Sequence, residues 1–311
     1  MEKMQRLVFG ETLAELGAED PRVVVLDADV SSSTQTRLFA LKYPDRFFNF
    51  GIAEANMVSA AAGMATYGCV PVVSTFALFL SLRAGDQVRA QVAYPALNVK
   101  LVGNYAGLSD FADGASHQSV EDMAITRAIP NMTVIAPSDI AETRLAVRAA
   151  VAHDGPVFLR ISREAVSDDY GPDHPFAIGK GVVLRDGRDV TLIATGTVVK
   201  LASTAADALA KQGISARVVD MHTIKPLDTD LVTRAAVDTG AIVTVEEHSV
   251  IGGLGAAVCE TVCATHPVPV VRVGIPDRFG ESGAYQEILR RAGIDTAAIV
   301  LSAKQAITLK A

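Results

Sequence analysis

The chain has 311 residues, of which 50% are hydrophobic and 20% charged, and this excludes a disordered protein because such chains lack the apolar surface that offsets the entropy of ordering. Its 28 basic and 35 acidic residues give a net charge of −7 without a basic run, which argues against nucleic acid as a partner. No apolar run approaches the ~18 residues that span a bilayer, and the N-terminal residues are too charged for a secretory signal. Three cysteines in such a chain indicate a reducing compartment, so we expect a cytoplasmic protein without a membrane partner.

Apolar strand-like runs alternate with helix-period segments along almost the whole sequence. The predicted strands cover 23–30, 70–75, 99–103, 133–136, 156–161, 190–195, 217–221, 241–245 and 268–273. The clearest predicted helices between them cover 54–67, 80–92, 140–152, 199–212 and 256–265. Most strand runs are continuously apolar, as in parallel strands that are covered on both faces. The pattern therefore predicts an α/β fold with doubly wound parallel sheets.

One segment interrupts this alternation. Residues 167–181 contain two prolines, three glycines and several acids without periodicity, which is typical of a linker. We therefore expect two α/β domains, residues 1–175 and 176–311. The unusual polar residues lie in the first of them.

The densest polar and aromatic motif is Asn49-Phe50-Gly51-Ile52-Ala53-Glu54, where a strand ends, a glycine turns the chain and a helix begins. Glu54 could simply complement the helix dipole, an effect below ~1 kcal/mol. However, the helix that follows consists mostly of small residues and Met, which predicts tight packing. A carboxylate at the end of such a helix is desolvated and can hold a proton, so a chemical role is also open.

Further candidate residues follow other predicted strands, where ligands of open α/β sheets gather. Segment 26–33 combines two acids with three serines that either cap a helix or face a ligand. Phe76 and Phe79 form either a core stripe or a ligand-facing pair. The long polar loop 107–122 contains His117, which is either an ordinary surface histidine or a proton carrier.

The motif around Glu54 resembles the signature of transketolases and 1-deoxyxylulose-5-phosphate synthases, both of which use thiamine diphosphate. The resemblance implies that Glu54 hydrogen-bonds the N1′ atom of the cofactor's aminopyrimidine in a dry pocket. It also implies that Phe76 and Phe79 flank that ring, while the third family aromatic falls on Leu82, a departure that reshapes the pocket.

The same resemblance assigns the other positions. It places Asp29 near the thiazolium and Val30 under the bent cofactor, and it assigns His117 both to catalysis beside the reacting carbon and to substrate binding. The residues that it assigns only to the substrate are Arg6, Ser33, Asp113 and Arg163, with the two arginines facing a terminal phosphate. A phosphate-binding histidine of many transketolases falls on Gly103 here, which weakens the phosphate assignment.

The second predicted domain carries residues that imitate functional sites. Cys259, Cys263 and His266 lie on one helix face without a second ligand pair, so we expect a structural role and no metal site in this chain. Glycines within 252–255 either cradle an anion or permit tight packing. Segments 224–228, 246–248 and 275–280 together resemble the transketolase C-terminal domain, which stabilises the dimer in that family.

The resemblance covers essentially the whole chain but only the latter half of a conventional transketolase. We therefore expect a transketolase-like pyrimidine-binding domain at 1–175 and a transketolase C-terminal domain at 176–311. The hypothesis is the small C-terminal subunit of a split transketolase, paired with an N-terminal subunit that holds the diphosphate and Mg²⁺ or Ca²⁺, in an α2β2 complex. It would transfer a two-carbon ketol unit from a ketose or ketose phosphate to an aldose or aldose phosphate, through a thiamine-diphosphate carbanion.

Three alternatives stay open at this point. The first is a decarboxylating half-enzyme similar to 1-deoxyxylulose-5-phosphate synthase, a family that segments 243–247 and 276–279 resemble, whereas Ser116-His117-Gln118-Ser119 is closer to transketolase. The second is the β subunit of a 2-oxo-acid dehydrogenase E1, whose motif normally differs just before the glutamate. The third is a non-catalytic paralogue that only binds a partner or ligand.

Overall fold

The computed structural model describes residues 2–171 and 173–310, so Met1, Pro172 and Ala311 of the predicted domains and linker lie outside the described residues. The strands are β1 (Glu2–Met4), β2 (Val23–Asp27), β3 (Phe47–Asn49), β4 (Val70–Phe76), β5 (Lys100–Asn104), β6 (Thr133–Ile135), β7 (Val157–Ile161), β8 (Ala165–Ser167), β9 (Val182–Arg185), β10 (Val190–Ala194), β11 (Ala216–Asp220), β12 (Thr223–Lys225), β13 (Ile242–Ser249) and β14 (Val270–Ile275). The helices are α1 (Gln5–Glu19), α2 (Ser31–Thr34), α3 (Arg37–Lys42), α4 (Glu54–Thr66), α5 (Gly85–Gln87), α6 (Asp122–Ala128), α7 (Ile140–Ala152), α8 (Val199–Ala210), α9 (Thr229–Thr239), α10 (Leu254–Thr265), α11 (Tyr285–Arg291) and α12 (Thr296–Leu309).

The larger sheet has seven strands in the order β12-β6-β7-β5-β4-β2-β3. All neighbours in it are parallel except β12, which pairs antiparallel with β6. The carboxyl ends of β2, β4, β5 and β7 therefore meet at one edge, where an open α/β sheet binds its ligands.

A second sheet has the order β14-β13-β10-β11-β9, with β9 antiparallel to its neighbour and the other pairs parallel. A short antiparallel pair joins β1 to β8. Both large sheets confirm the predicted α/β class with parallel strands. No helix among the described residues is long and apolar enough to cross a membrane.

Both sheets are covered by helices on their two faces. Neighbouring residues of a strand point to opposite sides, so they pack against different helices. Val23 and Val25 of β2 pack in one cluster with α1 and α7, whereas Leu26 packs in another with α4. In the second sheet, Leu192 of β10 packs with α8 and α12, and Ile193 packs with α9 and α10. This arrangement is the doubly wound architecture that continuous apolar strands predict.

The two halves of the chain share part of their core. Val134 of the first sheet belongs to the same buried cluster as Ile193 and Val258 of the second half. Strand β12 also follows the predicted boundary near residue 175 in sequence but completes the first sheet. The division at that residue stays a prediction.

The helix predicted over 80–92 is wrong in kind. Residues Phe79–Arg83 and Val88–Ala93 form π-helical turns on either side of the three-residue α5. The amide of Ala84 donates to the carbonyl of Phe79, five residues back, at 3.0 Å. Wide turns of this kind occur frequently at functional sites, and this one carries Phe79, Leu82 and Arg83.

Candidate active site

Two sharp turns shape the carboxyl edge of the larger sheet. Asp29, two residues after β2, has φ +63°, and Tyr105, directly after β5, has φ +58°. Residues other than glycine rarely adopt this left-handed region, and they concentrate at functional sites when they do. Both turns place polar or aromatic side chains at the edge where the sheet ends.

The turn after β2 is fixed by Asp27, one of the two acids for which the sequence left a capping role open. Asp27 accepts hydrogen bonds from the Val30 amide at 2.8 Å and from the Thr36 hydroxyl at 2.9 Å. Burial raises the pKa of Asp27, while these donors oppose that shift. The exposed Asp29 accepts from the Asn49 side-chain amide at 3.3 Å, and Val30 is half-buried beside it.

Glu54 begins α4 and is only 2% exposed. The preceding turn needs Gly51, which has φ +69° and donates its amide to the Asn49 side chain at 2.9 Å. Nη1 of Arg83 lies 3.1 Å from both carboxylate oxygens of Glu54. The sequence therefore places the buried carboxylate correctly, but its partner Arg83 comes from a distant turn and gave no local signal.

A row of aromatic rings extends from this ion pair. The Arg83 guanidinium lies 4.0 Å from the centre of the Phe79 ring, and the Phe79 and Phe76 centroids are 5.8 Å apart. Phe76 in turn lies 4.6 Å from Tyr105, which sequence reasoning also missed. His117 stands edge-on to both phenylalanines, at 5.9 Å from Phe76 and 5.4 Å from Phe79.

Both candidate arginines meet at the far end of this row. Nη1 of Arg6 donates to the Tyr105 hydroxyl at 2.7 Å and to the Ser33 carbonyl at 2.8 Å. The Arg163 guanidinium lies 5.1 Å from the centre of the Tyr105 ring. The structure thus brings Arg6, Ser33 and Arg163 together, although they are far apart in sequence.

Asp110 is a further acid of this site that the sequence did not single out. It is fully buried, and Nη1 of Arg163 lies 3.3 Å from its Oδ1 atom. Burial raises the pKa of Asp110 to about 6, the nearby Asp113 carboxyl adds to this rise, and Arg163 and His117 oppose it. Asp113 itself is exposed. Asp110 therefore gives the site a buried carboxyl that can hold a proton up to about pH 6.

Leu82 lies on the same turn as Phe79 and is 52% exposed, so it forms part of the open face of the site. Gly103 lies within β5, where an added Cβ would meet the Phe158 ring at 2.8 Å. A side chain does not fit there without a shift. Packing of the strand thus accounts for the glycine where the family has its histidine.

The second half contains the segments that imitate functional sites. Among residues 2–171 and 173–310, no group of three or more His, Cys, Asp or Glu side chains could hold a metal ion. The glycine-rich start of α10 is already bound from within, because the buried Glu246 accepts from the amides of Leu254 at 2.7 Å and Gly255 at 2.8 Å. Those amides are therefore not available to an outside anion.

Models of the transketolase pyrimidine-binding domain and the transketolase C-terminal domain match residues 2–168 and 179–299. The chain belongs to the transketolase family. A putative transketolase C-terminal section from Methanocaldococcus jannaschii is 47% identical over 296 residues, which cover 94% of this chain and 93% of that protein. A solved split-gene transketolase, described as an inactive beta4 tetramer, is 47% identical with a TM-score of 0.93 and 99% coverage of both chains.

A 1-deoxy-D-xylulose-5-phosphate synthase from Symbiobacterium thermophilum is 44% identical over 292 residues, which cover 92% of this chain but 44% of that enzyme. This chain thus consists of the pyrimidine-binding and C-terminal domains of the transketolase family. It matches a putative transketolase C-terminal section along almost its whole length. The predicted family and fold are confirmed. The roles of the individual site residues stay predictions.

The residues of this chain fit the aminopyrimidine half of thiamine diphosphate, the cofactor on which the family depends. Glu54 offers a buried carboxylate that can bond a ring nitrogen, and the half-buried Phe79 beside it offers an aromatic face. Asp29 and Val30 lie at the end of the neighbouring strand β2. The chain can therefore hold the ring end of the cofactor from one sheet edge once the Arg83 guanidinium moves away from Glu54.

Proposed function

We propose that this chain is the catalytic C-terminal subunit of a split transketolase, transferring a two-carbon ketol unit from a ketose to an aldose. The observation that carries the proposal is the unbroken contact from Glu54 through Arg83, Phe79 and Phe76 to Tyr105. These contacts connect a buried acid and the aromatic faces to Arg6 and Arg163, which lie at Tyr105 on the same sheet edge.

Thiamine diphosphate, when bound, supplies a carbon centre that stabilises the negative charge developed on the transferred unit. In this proposal the carboxyl of Glu54 holds a proton at N1′ of the aminopyrimidine, where exclusion of water strengthens the hydrogen bond. Phe76 and Phe79 bind the ring by its faces. Asp29 and Val30 orient the cofactor from the end of β2.

His117 is the residue that we assign to proton movement at the substrate oxygens. It stands edge-on to the two phenylalanines and lies on the loop with Asp113, which binds a ketose hydroxyl in the proposal. An imidazole ring has one nitrogen that donates and one that accepts, so His117 can give and take a proton during one turnover. Both groups thus face the position where the substrate meets the cofactor.

The arginine end of the site suits a substrate phosphate. Arg6 and Arg163 converge on Tyr105, and the buried Nε atom of Arg6 has no partner among the described residues. Guanidinium groups bind phosphate oxygens through paired, charge-assisted hydrogen bonds. We therefore propose a ketose phosphate as donor and an aldose phosphate as acceptor, with Ser33 as a further phosphate contact.

We further propose that an N-terminal transketolase subunit completes the site and holds the diphosphate with Mg²⁺ or Ca²⁺, in an α2β2 complex. Two exposed apolar side chains support a protein surface at this edge, since Ile52, two residues before Glu54, is 80% exposed and Leu82, next to Arg83, is 52% exposed. A chain of the same extent is one subunit of a split-gene transketolase. All three cysteines are free, which supports a reducing compartment such as the cytoplasm.

The experiment is purification of the chain with an N-terminal transketolase subunit, followed by assay with thiamine diphosphate, Mg²⁺ and a ketose phosphate–aldose phosphate pair. Ketol transfer by the complex, and its loss in Glu54→Gln but not in the surface variant Glu287→Gln, supports the proposal. Near-normal ketol transfer by Glu54→Gln contradicts the proposed mechanism.

A decarboxylating activity is the second candidate, favoured by the 44% identity to a 1-deoxy-D-xylulose-5-phosphate synthase. The same complex distinguishes the two when it is supplied with pyruvate and an aldose phosphate. Release of carbon dioxide in place of ketol transfer identifies the decarboxylating reaction.

A further inference from the structure

The loop that carries three residues of the candidate site is held by the second half of the chain. This loop, residues 107–119, contains Asp110, Asp113 and His117 and is called the acid–histidine loop below. It lies against β13 and the segment before α11, which belong to the C-terminal domain. The contacts occur towards its start and towards its end.

Glu247 of β13 holds the start of the loop. Its carboxylate is 2% exposed, and its Oε1 atom accepts the Leu108 amide at 2.7 Å. The Oε2 atom accepts the Tyr285 hydroxyl at 2.6 Å and the Thr197 hydroxyl at 3.2 Å. The carboxylate therefore links the Leu108 amide of the loop to the hydroxyl groups of Tyr285 and Thr197 in its own domain.

Gly107 shows how closely this carboxylate approaches the loop. Its φ is +65°, and a Cβ at this position would lie 2.5 Å from Oε1 of Glu247. A side chain is excluded there both by the backbone conformation and by the contact. The approach of Glu247 is thus built into the loop's own backbone.

Arg160 of β7 holds the end of the loop and ties it to the same strand. Its Nη2 atom donates to the Glu247 carbonyl at 2.7 Å and lies 3.4 Å from the Ser119 carbonyl. Its Nε atom donates to the buried carboxylate of Asp122 at 2.8 Å. Both ends of the loop therefore depend on the Glu247 residue, one through its side chain and one through its backbone.

The loop also contacts the C-terminal domain through Phe111 and Gln118. The side-chain amide of Gln118 donates to the Glu281 carbonyl at 3.0 Å, and the amide of Gly283 donates to the Phe111 carbonyl at 3.0 Å. These contacts involve mostly backbone atoms of segment 281–283. Glu247 is the side chain whose removal frees a loop amide directly.

We propose that Glu247 is a positioning residue of the active site, which sets the place of Asp110, Asp113 and His117 by holding the acid–histidine loop on the C-terminal domain. The effect of Glu247 on turnover rests on the proposed ketol transfer, whereas its hold on the loop does not. It gives the C-terminal domain a part in the reaction in addition to the dimer contact that the family resemblance implies.

The test compares two neighbouring buried glutamates. Glu247→Ala removes the acceptor of the Leu108 amide, whereas Glu246→Ala removes acceptors at the start of α10 and leaves the loop contact in place. Glu247→Gln keeps an oxygen for Leu108 and can donate its amide group to Tyr285 and Thr197. Tyr285→Phe is a milder variant that removes one bond to Glu247 and keeps the ring.

Amide hydrogen exchange in the full chain is the first measurement, because it does not depend on activity. We expect amides of residues 107–119 to exchange at least tenfold faster in Glu247→Ala than in wild type or Glu246→Ala. Glu247→Gln should stay close to wild type, and Tyr285→Phe should shift the loop in the same direction by less. Equal loop exchange in Glu247→Ala and Glu246→Ala overturns the proposal, and if Glu247→Ala does not fold, unchanged loop exchange in Tyr285→Phe overturns it.

Steady-state kinetics of the complex with the N-terminal subunit is the second measurement. Glu247→Ala should lower kcat for ketol transfer at least tenfold relative to Glu246→Ala, with recovery in Glu247→Gln and without weaker binding of thiamine diphosphate. A loop that exchanges faster while kcat equals that of Glu246→Ala overturns the positioning role. A wild-type complex that lacks ketol transfer contradicts the proposed function instead, and the exchange result still decides whether Glu247 holds the loop.

Discussion

Nη1 of Arg83 lies 3.1 Å from each carboxylate oxygen of Glu54, so a half-exposed guanidinium neutralises a carboxylate that is almost completely buried. The same guanidinium lies 4.0 Å from the centre of the Phe79 ring. Arg83 therefore covers both groups that we assign to the aminopyrimidine. Binding of that ring requires the guanidinium to leave Glu54.

Arg83→Ala removes this competitor and should strengthen the binding of thiamine diphosphate to the assembled complex. Because a half-exposed ion pair contributes up to ~1 kcal/mol, we expect a tightening of about three- to fivefold. Isothermal titration calorimetry with thiamine diphosphate measures the change in its dissociation constant. Arg89→Ala, an exposed arginine of the neighbouring turn, is the matched control and should leave the affinity unchanged. Weaker binding in Arg83→Ala would mean that Arg83 helps to hold the cofactor.

The sequence predicts those parts of the site that depend on local pattern. Continuous apolar runs located the strands, and the helix predicted over 140–152 has those ends in the structure, where Asp139 caps its start by accepting the Glu142 amide at 2.7 Å. Glu54 could be found because its motif lies within six consecutive residues. These features need no knowledge of distant contacts.

The residues that sequence reasoning missed owe their roles to contacts across the fold. Arg83 meets Glu54 from 29 positions away, and Tyr105 meets Arg6 from 99 positions away. Asp110 acquires its raised pKa from burial, which no local pattern around it signals. The π-helical turn at Phe79–Arg83 was also missed because its apolar residues fit an ordinary helix equally well. Tertiary packing, rather than local propensity, decides these features.

Asp110 should give the reaction a pH dependence near pH 6. Burial raises the pKa of Asp110 to about 6, so the group is neutral below that pH and ionised above it. Ionised Asp110 competes with a substrate phosphate for Arg163, so KM for a ketose phosphate should rise as the pH increases through 6. Asp110→Asn should remove this rise. The substrate phosphate titrates in the same way with wild type and with Asp110→Asn, so the difference between their pH profiles isolates the effect of Asp110. Identical profiles of KM against pH would contradict the assignment of this pH dependence to Asp110.

A second buried acid should make stability depend on pH. Burial raises the pKa of Glu142 to about 8, and the neighbouring Asp139 adds to this rise, while hydrogen bonds from the Ser138 amide and hydroxyl oppose it. The hydroxyl of Ser138 also lies 2.8 Å from Oδ2 of Asp220, whose pKa burial raises as well. The Ser138 hydroxyl has one proton and can donate it to only one of these two acids at a time. Glu142 and Asp220 are therefore most stable together when one of their carboxyls is protonated.

The sign of the effect follows from the raised pKa. The folded chain keeps the proton of Glu142 between about pH 4.5 and pH 8, where the unfolded chain has lost it, so this group's contribution to the free energy of unfolding falls as the pH rises through that range. Glu142→Gln should flatten the pH dependence between pH 6 and 8 by up to about 1.4 kcal/mol per pH unit, one proton per molecule. Urea denaturation at several pH values measures it. Glu19→Gln, an exposed acid with a lowered pKa, should leave this range unchanged.

The two arginines should determine whether the enzyme requires a phosphorylated substrate. Hydrogen bonds to charged groups contribute ~1.5–3 kcal/mol each, so loss of either guanidinium should lower kcat/KM for a ketose phosphate by roughly 10- to 150-fold. Arg163→Met keeps the length of the side chain without its charge, and Tyr105→Phe removes the 2.7 Å bond that orients Arg6 and should have a smaller effect. The corresponding ketose without phosphate should be used equally well by all variants, because it makes none of these bonds. A loss of activity that is equal for both substrates would show that Arg163 acts by holding Asp110 and its loop, since its Nη1 atom lies 3.3 Å from Oδ1 of that buried carboxyl.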